Sequence, residues 1–468
     1  MAASSVESSV KDALNLLKKF DWIHSPQVIK IFDGTLQNIP SEWLPFLAEL
    51  DTQELNNLPY LGESSSQVYP AWPTSLHEFL QLTSQLSLLR GQIDLQPTAI
   101  DANMARGMNQ KKLHEVSYMA SLVHNVMSEA GCDLIVDVGS GLGYLDHVLH
   151  QVHHHAVLGL EVNDSHVTRA ETRAAAQGLQ CGGVKSVKFN LTYDTACFQQ
   201  FESLLSSTAW TLTCHCNTAY QADLSALNGP VVDTRRATLR SPRVCLIGLH
   251  CCGDLSPTML ALFHQVPSVR AVCCVSCCYH KMSCVSDELS SFPLSSSCKK
   301  IYDTLKTEGL SWHISPQTLR LGAQETRSRW RQQTEEDHFD HVRHVAYRGL
   351  LELAECGDPV MKRKLVRKCD FSSFNSFLHS YFSSTYFSED EISRGKLSLN
   401  YLYTKHKDEF QLIEIFTALQ TLVQPVIESL IYNDRLLWLM ERGYTNVKVL
   451  PVFNEAVSPR NLAIAVIK

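Results

Sequence analysis

The chain has 468 residues, of which 44% are hydrophobic and 19% are charged, and its net charge is −7 at pH 7. This length exceeds that of one ordinary domain core and predicts two domains, or one core with large additions. The acidic balance argues against a protein that wraps broadly around nucleic acid. The apolar runs are too short to cross a bilayer, and the N-terminus lacks the basic start and apolar centre of a secretory signal. We therefore expect no membrane partner.

Sixteen cysteines are present, several of them as neighbours in sequence. The vicinal pairs are Cys251-Cys252, Cys273-Cys274 and Cys277-Cys278. Neighbouring cysteines make strained disulfides, so we expect reduced thiols and a location in the cytoplasm or the nucleus.

Four segments follow one another along the chain. Residues 1–108 have helical periodicity with proline-rich breaks and are interpreted as an N-terminal helical accessory domain. Residues 109–292 alternate strands and helices, which predicts the first five strands of a parallel α/β sheet with right-handed crossovers. Residues 293–424 are again helical, as in an insertion or lid. Residues 425–468 then supply a last helix and two strands that complete the core.

The strand assignments fix the edge at which a site would lie. The first two strands are residues 134–138 and 156–161, and an acid stands at the end of each apolar run. Two segments, 186–190 and 210–214, both fit the third strand, and the other one belongs to an insertion. The remaining strands are expected at residues 243–250, 269–276, 446–453 and 462–467, the last two as an antiparallel hairpin.

A glycine loop follows the first strand directly, in the segment Asp137-Val-Gly-Ser-Gly-Leu-Gly143. Glycines let a ligand approach the backbone at the carboxyl edge of the sheet. The Gly-x-Gly-x-Gly spacing differs from that of dinucleotide-binding domains, since Tyr144 stands where the third glycine is needed. Asp137 suits the cationic end of S-adenosylmethionine, and Glu161, at the end of the second strand, suits both ribose hydroxyls.

The predicted cofactor site therefore consists of the loop and the two acids. Its residues are Asp137, Gly139, Ser140, Gly141, Gly143 and Glu161. The alternative interpretation is a glycine turn beside a buried structural acid. Two acids at two neighbouring strand ends favour the cofactor site over that alternative.

Polar clusters follow the fourth and fifth strands, where loops face the ligand crevice of an open α/β sheet. The clusters are His250-Cys-Cys-Gly-Asp254 and Cys277-Cys-Tyr-His-Lys281. Either His250 or His280 could take a proton from the acceptor, and Asp254 could orient a histidine. Tyr279 could stack on a flat substrate. A hydrogen-bonded scaffold role stays open for both histidines.

The same clusters supply ligand types for zinc, namely Cys251, Cys252, Cys274, Cys277 and His280. Successive strand residues such as Cys273 and Cys274 point to opposite faces, and paired Cys-x-x-Cys knuckles are lacking. We therefore expect packed thiols and no metal.

Five motifs in combination resemble the methyltransferase-like 25 family. They are Lys111-Lys-Leu-His-Glu115, Val136-Asp-Val-Gly-Ser-Gly141, Gly248-Leu-His-Cys-Cys-Gly-Asp-Leu-Ser256, Cys277-Cys-Tyr-His-Lys281 and Ser458-Pro-Arg-Asn-Leu462. The resemblance implies a class I methyltransferase fold, which is Rossmann-like with a seven-stranded, mostly parallel sheet. It also implies S-adenosylmethionine as the cofactor and places His114 at the cofactor site. The turns after strands four and five have a more distant similarity to tRNA ribose 2′-O-methyltransferases.

Methyl transfer from S-adenosylmethionine to RNA is the first functional hypothesis, and two basic segments favour RNA as the partner. The first comprises Arg320, Arg327, Arg329, Trp330 and Arg331, and the second comprises Lys362, Arg363, Lys364, Arg367 and Lys368. Ordinary solvated helix faces explain such runs as well. Two alternatives stay open: a protein methyltransferase, and a catalytically inactive cofactor-binding protein that recruits partners.

Overall fold

The computed structural model of the chain describes residues 3–63, 69–179, 182–208, 242–286, 288–307, 312–324, 326–354 and 356–468. The chain divides into two compact units. The first comprises Met1–Val10, Leu89–Thr304 and Ile431–Lys468, and the second comprises Lys11–Leu88 and Leu305–Leu430. The first unit contains the sheet, and the described part of the second is helical.

A seven-stranded sheet forms the centre of the first unit. Its strands are β1 (Leu134–Val138), β2 (Val157–Glu161), β3 (Val184–Lys188), β4 (Val244–Cys251), β5 (Val269–Ser276), β8 (Val447–Pro451) and β9 (Leu462–Ile467), while β6 (Cys284–Val285) and β7 (Glu288–Leu289) form a separate short hairpin. The order across the sheet is β3-β2-β1-β4-β5-β9-β8.

Strands β1 to β5 pair in parallel, and β9 runs antiparallel to both β5 and β8. This is the predicted class I methyltransferase arrangement, and the fold prediction is confirmed. Strands β1 and β4 lie side by side, with Asp137 in register with Ile247. Because the strand order reverses between them, their carboxyl ends border the crevice in which open α/β sheets bind ligands.

The described residues form eighteen α-helices, besides several short helical turns. They are α1 (Ala3–Lys19), α2 (Asp21–His24), α3 (Leu44–Leu47), α4 (Thr52–Asn57), α5 (Thr74–Gln85), α6 (Gln110–Ala130), α7 (Tyr144–His153), α8 (Asp164–Ala176), α9 (Thr195–Thr208), α10 (Leu255–Gln265), α11 (Ser296–Thr307), α12 (Pro316–Gly322), α13 (Arg327–Trp330), α14 (Glu335–Leu353), α15 (Pro359–Val366), α16 (Phe374–Phe382), α17 (Glu389–His406) and α18 (Gln411–Met440).

Helix α6 covers one face of the sheet and carries residues of the candidate site. Asn109 caps its start by accepting the backbone N–H of Lys112 at 2.8 Å, and Gly131 ends it with a left-handed φ of 58°. Its buried residues, among them Met119 and Val123, join Ile135 of β1 in one hydrophobic cluster. All five residues of β1 are buried, as expected for a parallel strand that is covered on both faces.

Aromatic side chains fill the interior of the second unit. The rings of Phe20, Trp43 and Phe79 lie 4.7 to 6.1 Å apart between centroids. A second group surrounds Phe377, whose ring centroid lies 5.2 Å from that of Phe371 and 5.4 Å from that of Tyr347. Rings at these separations add favourable edge and offset contacts to the area that they bury.

The structure decides the position of the third strand and changes the start of the last helix. Strand β3 overlaps residues 186–190, whereas residues 210–214 lie outside the described residues. The predicted helix 426–442 starts earlier, because α18 continues through Pro425. Proline ordinarily marks a helix boundary, since it has no N–H to donate.

Helix α18 is also the one helix of the described chain that is long and apolar enough to span a membrane by length and composition. Its most apolar stretch is 94% buried among other residues of the chain, as is typical of a core helix. The same burial accounts for its continuation past Pro425, because packing on most sides offsets the cost of one missing backbone hydrogen bond.

Candidate functional site

The glycine loop adopts a backbone that requires its glycines. Gly139, Gly141 and Gly143 have φ values of 78°, 59° and 70°, in the left-handed region that other residues rarely adopt. The N–H groups of Gly139 and Ser140 both donate to Leu160 O, at 2.8 and 3.1 Å, which fixes the loop to β2. A Cβ added at Gly141 would meet no heavy atom within 4 Å, so the loop faces open space there.

Glu161 joins the second strand to this loop. Its Oε2 accepts the backbone N–H of Gly141 at 3.0 Å, and its Oε1 accepts that of Asn163 at 2.9 Å. The side chain is largely buried, with 8% of its surface exposed. The two strand ends and the loop therefore meet at one place, as the sequence predicts, although the role of Glu161 in binding a ribose stays a prediction.

Asp137 is buried at the end of β1. Its Oδ1 has no hydrogen-bond partner among the described residues, and neither has the buried Oγ of Ser140. Burial raises the pKa of Asp137 to about 6; the carboxylate of Glu161 also raises it, while Asp146 and Lys112 act in the opposite direction. A buried carboxylate oxygen without a partner is costly, so this site fits a cationic ligand.

Asp146, in the first turn of α7, is a residue that the sequence interpretation missed. It is fully buried, and burial together with the Asp137 carboxyl raises its pKa well above the ordinary range. Its Oδ2 would lie 2.7 Å from a Cβ at Gly159, so β2 needs a glycine there. The two neighbouring carboxyls titrate as a pair, and burial favours the protonated form of Asp146.

His114 lies in α6 beside the loop that follows β8. Its Nε2 accepts the backbone N–H of Asn454 at 3.0 Å, and its ring centroid lies 4.7 Å from that of Tyr118. Burial lowers the pKa of His114, although the neighbouring Glu115 acts to raise it. These contacts hold the closing loop, and a role of His114 in cofactor binding stays a prediction.

His250, the residue before the last one of β4, has a strained conformation and pairs with Glu115. It has a φ of 81°, which is unusual for a residue with a side chain, at a register shift between β4 and β5. Its Nε2 lies 3.1 Å from Oε2 of Glu115, and Oε1 of Glu115 accepts the Ser458 hydroxyl at 2.7 Å. Such strain costs about 1–3 kcal/mol and recurs at functional sites, where the surrounding contacts enforce it.

Glu115 was not predicted as a site residue. Only 2% of it is exposed, and burial, the largest single influence, acts to raise its pKa. Hydrogen bonds and charge from His250, with the Ser458 hydroxyl and Lys111, outweigh burial and leave the pKa below its ordinary value. Glu115 is therefore an ionised carboxylate that accepts hydrogen bonds, and His250 donates from Nε2 to it.

Asp254 and Tyr279 make contacts other than those expected of them. The Asp254 carboxylate accepts hydrogen bonds from Ser283 and from Ser290, so it holds the hairpin β6–β7 and the histidine partner is Glu115 instead. These serine bonds outweigh the effect of burial and lower the pKa of Asp254. Tyr279 is 1% exposed, and its ring centroid lies 5.8 Å from the Arg435 guanidinium, so the ring packs in the interior; stacking of Tyr279 on a flat substrate stays a prediction.

His280 and one cysteine pair, Cys277-Cys278, occupy the turn after β5. His280 lies half-buried in the short helical turn Tyr279–Lys281, and its role as a base stays a prediction. Cys273 and Cys274 are buried within β5, whereas the thiols of Cys277 and Cys278 come close to that of Cys252.

Gly253 allows the turns after β4 and β5 to touch through their backbones. It has a φ of 55°, and a Cβ there would lie 2.5 Å from Lys281 O.

We expect Gly253→Ala to lower the free energy of unfolding for two reasons. The left-handed backbone costs about 1–2 kcal/mol, and overpacking against Lys281 costs about 1–3 kcal/mol. Gly443→Ala is the control, because φ is 83° and nothing lies within 4 Å. Equal thermal melting of the two variants would contradict this account.

The two predicted basic segments, both in the second unit, differ in how exposed their side chains are. Trp330 is 5% exposed and donates from Nε1 to Leu55 O at 3.0 Å, and Arg327 pairs with Glu63. In the first segment Arg327 and Trp330 are therefore interior residues, whereas Arg320 and Arg331 are exposed. In the second segment Lys362 pairs with Glu352 at 3.2 Å, while the remaining basic residues are exposed, namely Arg363, Lys364, Arg367 and Lys368.

Comparison with known proteins assigns the domain that carries this site. Residues 111–285 match a family model described as a methyltransferase domain. A protein named "probable methyltransferase-like protein 25" from Mus musculus is 22% identical over 462 residues, which cover 77% of this chain and 75% of that protein. Its Homo sapiens namesake is 27% identical over 232 residues, which cover 48% of this chain and 36% of that protein.

A crystal structure of coclaurine N-methyltransferase, bound to N-methylheliamine and SAH, is 8% identical and covers 91% of this chain and 90% of that one. Its TM-score of 0.23 is too low to support a structural argument. The family match and the sheet order carry the assignment instead. The chain therefore contains a methyltransferase domain, which implies S-adenosylmethionine as its cofactor, and it is related to the methyltransferase-like 25 proteins.

Proposed function

We propose that this chain transfers a methyl group from S-adenosylmethionine to RNA at the carboxyl edge of β1, β2 and β4. The observation that carries the proposal is the meeting of the loop and the acids: Gly141 donates to Glu161 at 3.0 Å, beside a buried Asp137 whose Oδ1 is unpaired. This set fits one small cationic nucleoside, since it offers a carboxylate for an ammonium group and open backbone above a glycine.

The binding roles follow from the chemistry of each residue. Asp137 holds the ammonium group of the cofactor, because its buried carboxylate has no other cation as a direct partner among the described residues. Glu161 accepts the ribose hydroxyls, since carboxylate oxygens that already accept backbone N–H groups keep further lone pairs. When bound, S-adenosylmethionine supplies an electrophilic methyl group on a sulfonium sulfur.

His250 serves as the base for the acceptor, and Glu115 is its positioning residue. The Glu115 carboxylate accepts a hydrogen bond from the Nε2–H group of His250. The other ring nitrogen, Nδ1, is then the one that can accept a proton. Glu115 then stabilises the imidazolium that forms when His250 accepts the acceptor's proton. The His250 side chain is 36% exposed, so a substrate can reach it.

We expect His250→Ala to leave the dissociation constant for S-adenosylmethionine unchanged and to slow methyl transfer roughly 10²- to 10⁴-fold. Added imidazole restores part of the rate in this variant, because a small base can occupy the vacated space. Glu115→Gln keeps the shape of the side chain and slows transfer less than His250→Ala does. Full turnover by His250→Ala, or a lost rate that imidazole does not raise, contradicts the assignment.

RNA is proposed as the acceptor on the basis of the exposed cations of the second basic segment, which attract a phosphate backbone even on an acidic chain. Free thiols throughout the described chain fit a reducing compartment, the cytoplasm or the nucleus.

The test of the acceptor incubates the purified chain with methyl-labelled S-adenosylmethionine and extract from cells that lack the protein. Nuclease-sensitive label supports RNA, protease-sensitive label shows a protein acceptor, and binding without transfer shows an inactive domain.

A further inference from the structure

Three thiols converge where the turns after β4 and β5 meet. Cys252 Sγ lies 3.0 Å from Cys277 Sγ, which lies 3.7 Å from Cys278 Sγ. All three sulfur atoms are within 4.8 Å of one another. Cys277 is buried, and the other two are partly exposed. The cluster is thus enclosed on one side and reachable on the other.

The backbone explains why neighbouring cysteines point the same way here. Cys278 has φ −98° and ψ 74°, which is not a strand conformation, so its side chain need not oppose that of Cys277. Gly253 N donates to Cys278 O at 3.1 Å and brings the turn that carries Cys252 against this pair. The expectation that packed thiols fill this region rested on Cys273 and Cys274, which do lie in the strand.

We propose that Cys252, Cys277 and Cys278 bind one zinc ion through their three sulfur atoms. Zinc prefers thiolate ligands at about 2.3 Å in a tetrahedral arrangement, which places the sulfurs about 3.8 Å apart. Small side-chain rotations reach that spacing from the distances in the structure. Within the described residues no further cysteine, histidine or carboxylate joins the group, so the fourth position is open to water or to a substrate atom.

The charge of the surroundings agrees with this site. Three thiolates and one zinc ion carry a net charge of −1, and Lys281 is near enough to favour negative charge on Cys252. Zinc binds the thiolate form of cysteine, so its binding would release the protons that the thiols carry.

An open fourth position separates this site from structural zinc sites, which protein ligands close completely. His250 lies two residues before Cys252 in the sequence. Zinc binding itself does not depend on the proposed function, because it requires neither S-adenosylmethionine nor an acceptor.

The test measures zinc per chain by mass spectrometry after the full-length protein is purified from zinc-supplemented cells under reducing conditions. We expect about one zinc per chain, and loss of that zinc in Cys252→Ser/Cys278→Ser. Cys356→Ser/Cys369→Ser is the matched control, since both cysteines are partly exposed and lie in the second unit. Cobalt should replace zinc and give thiolate-to-cobalt charge-transfer absorption that only the first variant lacks.

Circular dichroism of both double variants checks that they are folded, so that a loss of zinc reports on the ligands and not on unfolding. Wild-type protein without zinc and without cobalt absorption overturns the proposal, as does equal zinc in both variants. A Cys252–Cys277 disulfide in metal-free protein would identify a redox pair instead. Bound zinc with no heat on titration of S-adenosylmethionine leaves the zinc site standing and defeats the proposed function alone.

Discussion

Gly141→Ala should weaken binding of S-adenosylmethionine by about 1–3 kcal/mol, the usual cost of an extra methyl group in a close-packed site, or roughly 5- to 150-fold in affinity. The reason is the open space above Gly141, where an added Cβ meets no protein atom within 4 Å and so enters the volume proposed for the cofactor. Isothermal titration calorimetry of the purified variant measures the effect.

Gly178→Ala is the control for this substitution. Gly178 also has a left-handed φ, 75° compared with 59° at Gly141, and also has nothing within 4 Å of an added Cβ. Both alanines therefore carry the same backbone strain of about 1–2 kcal/mol, and their melting temperatures should fall alike. Affinity should fall only in Gly141→Ala. Equal affinities in the two variants would remove the glycine loop from the cofactor site.

The fold was predictable because its strongest signals are local. A short apolar run that ends in an acid and runs into glycines describes β1 and its loop without knowledge of the rest of the chain. The same holds for β5, whose predicted range and observed bounds agree. Local signals failed at Pro425, where burial of the long helix α18 overrides the usual effect of proline.

Partners far apart in sequence were the part of the site that could not be predicted. His250 and Glu115 are separated by 135 residues, and the sequence offered Asp254 as a nearer carboxylate. Asp254 instead faces serines of a hairpin too short to leave a periodic pattern. One signal was available: Glu115 occupies the apolar face of α6 one turn before Met119, and an acid at a core position requires a partner.

The sequence motifs also do not indicate which aromatic side chains are buried. Tyr279 and Trp330 were placed at binding surfaces by their neighbours in sequence, yet both are interior residues. Large aromatic rings contribute most when they are buried, so an aromatic residue beside polar ones is as consistent with a core contact as with an open surface. The convergence of Cys252 with Cys277 likewise depends on a backbone contact at Gly253 that no spacing rule describes.

Affinity for S-adenosylmethionine should rise with pH between 5 and 7, since Asp137 has a pKa raised to about 6. Below that pKa Asp137 is protonated, and a neutral carboxyl no longer attracts the ammonium group of the ligand. Bound cation favours the ionised carboxylate, so binding releases a proton in this range, and affinity falls up to about tenfold for each unit below pH 6. Asp137→Asn should bind weakly and without this pH dependence.

Other titratable groups lie near Asp137, so the pH dependence of S-adenosylmethionine affinity needs a control ligand. Burial raises the pKa of the neighbouring Asp146 well above its ordinary value, so Asp137 and Asp146 titrate as a pair and the slope reports on that pair. Methylthioadenosine lacks the amino-acid end, so its affinity should stay constant from pH 5 to 7 in the same protein. If methylthioadenosine shows the same slope as S-adenosylmethionine, the titrating group acts on the nucleoside. Asp137 would then not be the residue that holds the ammonium group.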